Sequence, residues 1–277
     1  MKINLWGVRG SLPTTGPETS GFGGNTSCTS VTHEGWLLVL DGGSGIHTLV
    51  LDKDAPSKRI DILLTHLHID HIQGLGFFSP LFDPEMEIHI WGPASSHRSL
   101  HSRLSRYLSP PLFPVLIRDL PCTLQFHELE NSTVEIGPFQ VQSSYVIHPS
   151  PTIGFRIAND HSTFTYLPDH EPALGFTGMI PNNKWISGID LAAGVDLLLH
   201  DAQYTLAEYQ TRKGWGHSSI DDAGYFASMA GVKKLLLAHH DPSHNDEKLL
   251  EMFSGFQQQN DYPFACELAR EGMEIML

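Results

Sequence analysis

Short apolar runs bounded by polar turns recur through the first two-thirds of this chain, a pattern typical of β-strands. In order, they are Lys2–Val8, Ser27–Thr32, Trp36–Asp41, Arg59–Thr65, Glu87–Trp91, Leu124–Leu129, Thr133–Ile147, Thr152–Ile157 and Thr163–Leu167. The second and third runs are separated only by His33-Glu34-Gly35, which predicts a hairpin.

Helical patterns alternate with strands towards the carboxyl terminus. They are expected at Gly45–Leu51, Ser95–Leu108, Ser218–Ala230 and Ser243–Gln258, with late strands at Asp196–Leu199, Lys233–Ala238 and Met273–Leu277. Ser218 and Ser243 each precede an Asp by three residues, which is typical of a helix N-terminal cap. The order predicts the α/β class, with sheets covered by helices in one domain spanning 1–277. The segment from Phe77 to Cys122, 72–122 at its widest, carries two Pro clusters and is expected to be a lid or insertion.

The amino-acid composition excludes some classes of function and favours others. With 17 Lys and Arg against 31 Asp and Glu, the net charge is −14, which argues against tight binding of long nucleic acid. The three Cys, at 28, 122 and 266, are odd in number and far apart, so no disulfide framework is expected and a reducing, cytoplasmic compartment is favoured. No apolar run approaches a membrane span, and Met1 to Gly10 does not resemble a secretory signal. The unusual feature is the presence of 17 His, because His is the commonest transition-metal ligand.

The His concentrate in one motif, Thr65-His66-Leu67-His68-Ile69-Asp70-His71, directly after a strand-like run. In extended backbone His66 and His68 point to the same side, and a following helical turn moves Asp70 and His71 to a neighbouring position. One short turn can therefore serve two adjacent cations. Nitrogen and oxygen ligands together suit Zn²⁺, Mn²⁺ or Fe²⁺ better than Ca²⁺ or Mg²⁺.

In this motif the chain resembles the metallo-β-lactamase superfamily, whose members carry HxHxDH after a strand. It looks most like the branch that holds ribonuclease Z, phosphoribosyl cyclic phosphate phosphodiesterase and small cyclic-nucleotide phosphodiesterases. The resemblance spans nearly the whole chain and includes Gly7-Val8-Arg9-Gly10-Ser11, Gly23-Gly24-Asn25-Thr26-Ser27-Cys28, Asp41-Gly42-Gly43, His200-Asp201-Ala202, Gly216-His217-Ser218-Ser219 and Leu237-Ala238-His239. It implies an αββα sandwich.

The resemblance also implies three further metal ligands, His148, Asp169 and His239. Two divalent transition-metal ions are then expected, Zn or Mn, or else Fe. Site one would be His66, His68 and His148, site two Asp70, His71 and His239, and Asp169 would lie between them. Two alternatives stay open, because Asp201 competes with Asp169 for the bridging position and His240 competes with His239.

The resemblance further implies roles in catalysis. In two-metal hydrolysis a bridging hydroxide is the nucleophile, and Asp70 counts among the catalytic residues as a ligand of site two. His217 matches the branch's catalytic His and is expected to protonate the leaving group. Asp201 stands where the branch has Glu and is expected to orient His217. His170 is left open as a substrate contact or a supporting residue.

Four functions are compatible with these features. The leading one is hydrolysis of a small phosphodiester, such as a 3′,5′-cyclic nucleotide. A tRNA 3′-processing endoribonuclease of the ribonuclease Z type is the alternative, although the acidic composition counts against it. A lactone or thioester hydrolase would use the same metal centre. A non-catalytic metal-binding module is the fourth. No membrane partner is expected, and a homodimer is an expectation from the branch alone.

Overall fold

A computed structural model describes residues 1–51, 58–172 and 185–277 of the chain. Two seven-stranded sheets lie face to face. The strands of the first are β1 (Lys2–Gly7), β2 (Cys28–His33), β3 (Trp36–Leu40), β4 (Arg59–Leu63), β5 (Glu87–Pro93), β6 (Thr123–Leu129) and β14 (Glu274–Met276). Those of the second are β7 (Ser132–Ile136), β8 (Phe139–Tyr145), β9 (Ile153–Ala158), β10 (Thr163–Leu167), β11 (Leu197–Asp201), β12 (Lys234–Ala238) and β13 (Ala265–Leu268).

The α-helices are α1 (Ile69–Ile72), α2 (Leu100–Leu104), α3 (Ile189–Ala192), α4 (Leu206–Tyr209), α5 (Ile220–Ala230) and α6 (Asp246–Gln259). Short 3₁₀ helices occupy Pro17–Thr19, Ser44–Thr48, Leu75–Phe77, Ser79–Phe82 and Ile117–Asp119. None of the helices found in residues 1–51, 58–172 and 185–277 has the length and apolar content needed to span a bilayer.

Alternation along the strands builds four layers. In β4, Ile60 and Ile62 pack outward with α2, whereas Leu63 points into the core that both sheets share with residues such as Phe155. On the other side of the molecule, the second sheet packs outward against α3, α5 and α6. The αββα sandwich expected from the sequence is therefore confirmed.

The strand directions determine where the site forms. The sheet orders are β14-β1-β2-β3-β4-β5-β6 and β13-β12-β11-β10-β9-β8-β7. From β3 to β6, and again from β10 to β13, neighbouring strands are parallel, so their carboxyl ends lie along one edge of each sheet. Residues that directly follow these strands can therefore converge.

Several predicted elements differ from those observed. The run Thr133–Ile147 is a hairpin of β7 and β8, because the chain turns at Gly137 with φ of 55°, where a Cβ would lie 2.3 Å from the Trp36 ring. The helix expected at Gly45–Leu51 is the 3₁₀ turn Ser44–Thr48, and the one at Ser95–Leu108 shortens to α2. The strand β13 was not predicted at all.

The predicted cap positions are also wrong by one or two residues. The side chain of Ser219, not Ser218, caps α5, since it accepts the backbone N–H of Asp222. In the same way Asn245, not Ser243, caps α6. The segment 72–122, expected as a lid or insertion, contributes β5 to the first sheet and also exposes Phe77 and Leu112.

Candidate metal centre

The residues of the HxHxDH motif and their expected partners all follow strand ends at one edge of the sandwich. His66 follows β4 in the first sheet, and Asp169 and His239 follow β10 and β12 in the second. His148 follows β8, which runs in the same direction as β10 because both are antiparallel to β9. The candidate centre therefore lies between the two sheets and takes side chains from each.

Site one brings together His66, His68 and His148, whose ligand nitrogens all lie within 4.8 Å of one another. His148 Nε2 is 3.2 Å from His68 Nδ1, so these two ring nitrogens face the same point. His66 is fully buried, whereas His68 is exposed. One side of this site is thus open to a substrate.

Site two brings together Asp70, His71 and His239, again with ligand atoms within 4.8 Å of one another. Asp70 Oδ2 is 3.3 Å from His71 Nε2 and 3.4 Å from His239 Nε2. Asp70 also accepts the backbone N–H of Ser11 at 2.8 Å, which fixes the carboxylate.

Asp169 lies between the two groups and presents one oxygen to each. Its Oδ1 is 3.0 Å from His71 Nε2 and 3.1 Å from His239 Nε2. Its Oδ2 is 3.7 Å from both His66 Nε2 and His148 Nε2. Asp201, the competing candidate, is engaged elsewhere, so the geometry favours Asp169 for the bridging position.

The donor set fits two divalent transition metals. Among the described residues, the Nε2 atoms of His66, His71 and His239 and the Oδ1 atom of Asp169 are buried without a hydrogen-bond partner. Leaving such atoms unpaired is costly, and two cations, one at each site, would satisfy them. Imidazole nitrogens with carboxylate oxygens suit Zn, Mn or Fe.

Neighbouring groups orient these imidazoles. The fully buried Asp41 accepts the His71 Nδ1 proton at 2.8 Å, and the backbone carbonyl of Gly216 accepts that of His148 at 2.8 Å. Each bond fixes the tautomer that leaves Nε2 free for a metal. Asp41 also accepts the backbone N–H of Thr65 at 2.8 Å, which ties the end of β3 to the start of the motif.

Burial and charge separate the two sites electrostatically. Burial lowers the pKa of His148 to about 4 and also lowers the pKa of His66, so site one is neutral at pH 7. In site two burial is the largest single influence and acts in the same sense, but the carboxylates of Asp169, Asp70 and Asp201 together outweigh it and raise the pKa of His239 to about 9. The pKa of His71 is raised for the same reason, so site two holds protons that a cation must displace.

His217 and Asp201 form a pair beside the centre. The Nδ1 atom of His217 lies 2.7 Å from Asp201 Oδ2 and 3.9 Å from Asp169 Oδ2. The second carboxylate oxygen of Asp201 accepts the backbone N–H groups of Gln203 and Ser218. Because the Nδ1 atom of His217 is hydrogen-bonded to Asp201, Nε2 is the nitrogen of His217 that can exchange a proton.

Two further His are directed away from the centre. His240 Nε2 bonds to the carbonyl of Ala269 at 2.8 Å, and its ring packs edge-on against Phe22, so the geometry favours His239 as the ligand. His170 bonds through Nδ1 to His200 at 2.9 Å and is fully buried, which places it in the packing beneath the site.

Asp41 and Glu171 are supporting residues that the sequence did not predict. Asp41 appeared only within a glycine-rich motif, although an acidic residue directly after an apolar strand was a usable signal. Glu171 carried no such signal, since its partners Tyr209, Gly214 and Gly216 lie more than thirty residues away.

Comparison with known proteins gives further evidence on the family and the fold. The family model of the beta-lactamase superfamily domain matches residues 44–240. A ribonuclease Z of Streptococcus suis is 26% identical over 255 residues, which cover 75% of this chain and 79% of that protein.

Solved structures share the fold over the whole chain. The metallo-β-lactamase fold protein YhfI of Bacillus subtilis superposes with a TM-score of 0.70 at 19% identity, covering 99% of this chain and 98% of its own. The short form of human tRNase Z superposes with a TM-score of 0.69 at 21% identity, covering 100% and 99%. At these identities the likeness concerns the fold.

Proposed function

This chain belongs to the beta-lactamase superfamily and is a metal-dependent hydrolase, and we propose that it hydrolyses a small phosphodiester, such as a cyclic nucleotide. One observation carries the proposal. The two oxygens of Asp169 face two separate groups of ligands, and the His217–Asp201 pair lies directly beside them. A centre that holds two cations beside a proton donor is suited to cleavage of a phosphodiester.

When bound, two divalent cations supply an activated water near neutral pH and neutralise charge on the phosphoryl oxygens. His66, His68 and His148 would hold one, Asp70, His71 and His239 the other, with Asp169 shared. Zn²⁺ or Mn²⁺ is expected, or else Fe²⁺.

The chain's own residues then handle the leaving group. Asp201 accepts the Nδ1 proton of His217 and so holds the ring with Nε2 available. Protonated at Nε2, His217 can donate that proton to the departing alkoxide. Tyr204 packs edge-on against the His217 ring, with centroids 5.9 Å apart, and limits its rotation.

A basic, aromatic loop before His217 suits an anionic substrate of limited size. Arg212 lies 4.9 Å from the centre of the Tyr204 ring, and the side chain of Trp215 is 60% exposed. A guanidinium and an exposed indole are the groups that bind a phosphate and a nucleobase. In a chain of net charge −14, this local charge serves a small ligand better than a long nucleic acid.

Processing of tRNA 3′ ends is the second candidate, and the Streptococcus suis relative named ribonuclease Z favours it. The two candidates share the same chemistry and differ in the surface that the substrate needs. Affinity for tRNA requires many phosphate contacts and would fall steeply with salt.

The deciding experiment is a hydrolysis panel with metal-reconstituted protein. The substrates are a bis-aryl phosphate, 3′,5′- and 2′,3′-cyclic nucleotides and a precursor tRNA. Turnover of the aryl and cyclic substrates with intact tRNA is the expected result. Cleavage of tRNA alone would replace the proposal with the ribonuclease Z function, and no metal-dependent turnover of any substrate would refute both.

Two variants make the panel specific. Asp70→Ala should abolish turnover because it removes a site-two ligand. Asp61→Asn is the matched control, since Asp61 is equally buried but pairs with Arg59 and Trp91 away from the centre. Loss of activity in both variants would point to general destabilisation.

Two further expectations belong to the proposal. Cys28, Cys122 and Cys266 are all free thiols, which supports a reducing, cytoplasmic location. A homodimer is expected from the resemblance to the branch and is tested by sedimentation of the purified protein.

A further inference from the structure

Glu171 is a buried carboxylate that takes no part in the proposed hydrolysis. It is 1% exposed and lies two residues after Asp169. Its Oε1 accepts the Tyr209 hydroxyl at 2.9 Å and the backbone N–H of Gly214 at 2.8 Å, and its Oε2 accepts the backbone N–H of Gly216 at 2.7 Å. A buried charge with three donors is an ordered arrangement, since each charge-assisted bond is strong and directional.

Tyr209 acts as a donor in this arrangement. Burial and the charge of Glu171 raise the pKa of Tyr209, so the hydroxyl keeps its proton. The carboxylate thus fixes the loop between α4 and His217 at both Gly214 and Gly216.

The loop in turn fixes a predicted metal ligand. Gly216 has φ of 93°, and a Cβ there would lie 2.1 Å from His148 Nδ1, so only glycine allows this approach. The Gly216 carbonyl accepts the His148 Nδ1 proton at 2.8 Å. That bond directs the Nε2 lone pair of His148 towards His68 and Asp169.

Glu171 also holds the other side of His148 through its backbone. Its N–H donates to the carbonyl of Ile147 at 3.0 Å. The two chain segments that meet at the His148 ring, 145–148 and 214–217, are therefore both bound to one residue.

We propose that Glu171 is a positioning residue for site one. By accepting the backbone N–H of Gly216 it places the Gly216 carbonyl, which fixes the tautomer and direction of His148, and by anchoring the same loop it places His217. The inference rests on the proposed function only in requiring that the centre holds two cations. It makes no use of the substrate.

The test is metal binding, measured with Co²⁺ because its visible absorption reports the geometry of each site. Apoprotein is titrated with Co²⁺ for the wild type, Glu171→Ala, Glu171→Gln and Tyr209→Phe. Glu208→Gln is the matched control, since Glu208 bonds to Thr205 and His244 but contacts neither His148 nor Gly216. Thermal unfolding of each apoprotein in chelator separates stability from metal binding.

In Glu171→Ala, one of the two Co²⁺ equivalents should bind at least tenfold more weakly, the lower limit for loss of a group that orients a metal ligand. The other equivalent should bind as in the wild type. Glu171→Gln should show a smaller loss at the same equivalent, because its amide oxygen can still accept the Gly216 N–H. Tyr209→Phe and Glu208→Gln should keep both equivalents within about twofold, below the tenfold effect of losing an orienting partner.

Unchanged binding of both equivalents in Glu171→Ala overturns the inference, and so does an equal weakening of both with a lowered melting temperature. If the alanine variant does not fold, wild-type affinity in Glu171→Gln overturns it instead. A wild type that binds fewer than two Co²⁺ ions contradicts the proposed function itself, which distinguishes the two failures.

Discussion

Asp201 reaches His217 although it is one methylene shorter than the Glu of the branch that the chain resembles. The distance from Asp201 Oδ2 to His217 Nδ1 is 2.7 Å, because β11 ends at Asp201 and both carboxylate oxygens are anchored by backbone N–H groups. The shorter side chain is compensated by the position of the strand end.

The His217–Asp201 pair predicts that the effect of its variants on kcat depends on the leaving group of the substrate. His217→Ala and Asp201→Asn should lower kcat for an alkyl phosphodiester by about 10²- to 10⁴-fold, the usual contribution of a positioned acid. A p-nitrophenyl diester needs no protonation and should be affected far less. Steady-state kinetics on both substrates checks this, with metal content measured for each variant. An equal loss on both substrates would contradict the role.

The position of Asp169 between the two sites predicts that this side chain is needed for binding of two metal ions. Asp169→Asn has a single acceptor oxygen, so one of the two ligand groups must lose its shared ligand. We expect this variant to retain at most one tightly bound ion and no activity, whereas the wild type retains two. Elemental analysis after gel filtration measures the ratio. Full retention of both ions would show that Asp169 is not shared.

Alanine variants of the neighbouring His239 and His240 should differ in metal content. His239 Nε2 faces Asp70 and Asp169, whereas His240 Nε2 bonds to a backbone carbonyl. His239→Ala should lose one equivalent of metal, and His240→Ala should keep both and lose only stability. Metal analysis measures the ions retained by each variant, and thermal unfolding measures its stability. Loss of metal in His240→Ala but not in His239→Ala would identify His240 as the ligand.

The pKa values predict that the two sites respond differently to pH. With the pKa of His239 raised to about 9, the ring is protonated at pH 7 and must release that proton to bind a cation. Affinity at site two should therefore rise between pH 7 and 9, by up to tenfold per pH unit for each proton displaced from His239 and His71. Site one should change little there, because the pKa of His148 is about 4 and this ring is already neutral.

Calorimetry in buffers of different ionisation enthalpy measures the protons released. Release should accompany only one of the two binding events at pH 7. Equal proton release at both sites, or none at either, would contradict the electrostatic difference between them.

Much of the site was predictable because its chemistry is local in sequence. The HxHxDH motif places four candidate ligands within six residues, and the resemblance supplied the candidates His148, Asp169 and His239. Residues that act through partners distant in sequence were not predictable in this way. Asp41 and Glu171 gain their roles only when β3 is placed beside β4 and the 214–216 loop beside Ile147.

The fold was predicted better in class than in detail. Apolar runs identified most strands, but a continuous alternation hid the turn at Gly137, where close packing against Trp36 decides the structure. Weak helical patterns at Gly45–Leu51 and Ser95–Leu108 overestimated the helices, since burial on one face does not require a full helix. The strand β13 is half-exposed and short, so its pattern was faint.

Because strand ends from both sheets converge at the centre, bound metal would also affect the stability of the fold. His66 and Asp70 belong to one half of the sandwich, and Asp169 and His239 to the other. Cations held between them would link the two halves, and their binding free energy would add to the stability of the folded protein. A cell short of transition metal would then hold a looser, more protease-sensitive protein, so the abundance of this hydrolase would follow metal supply together with its activity.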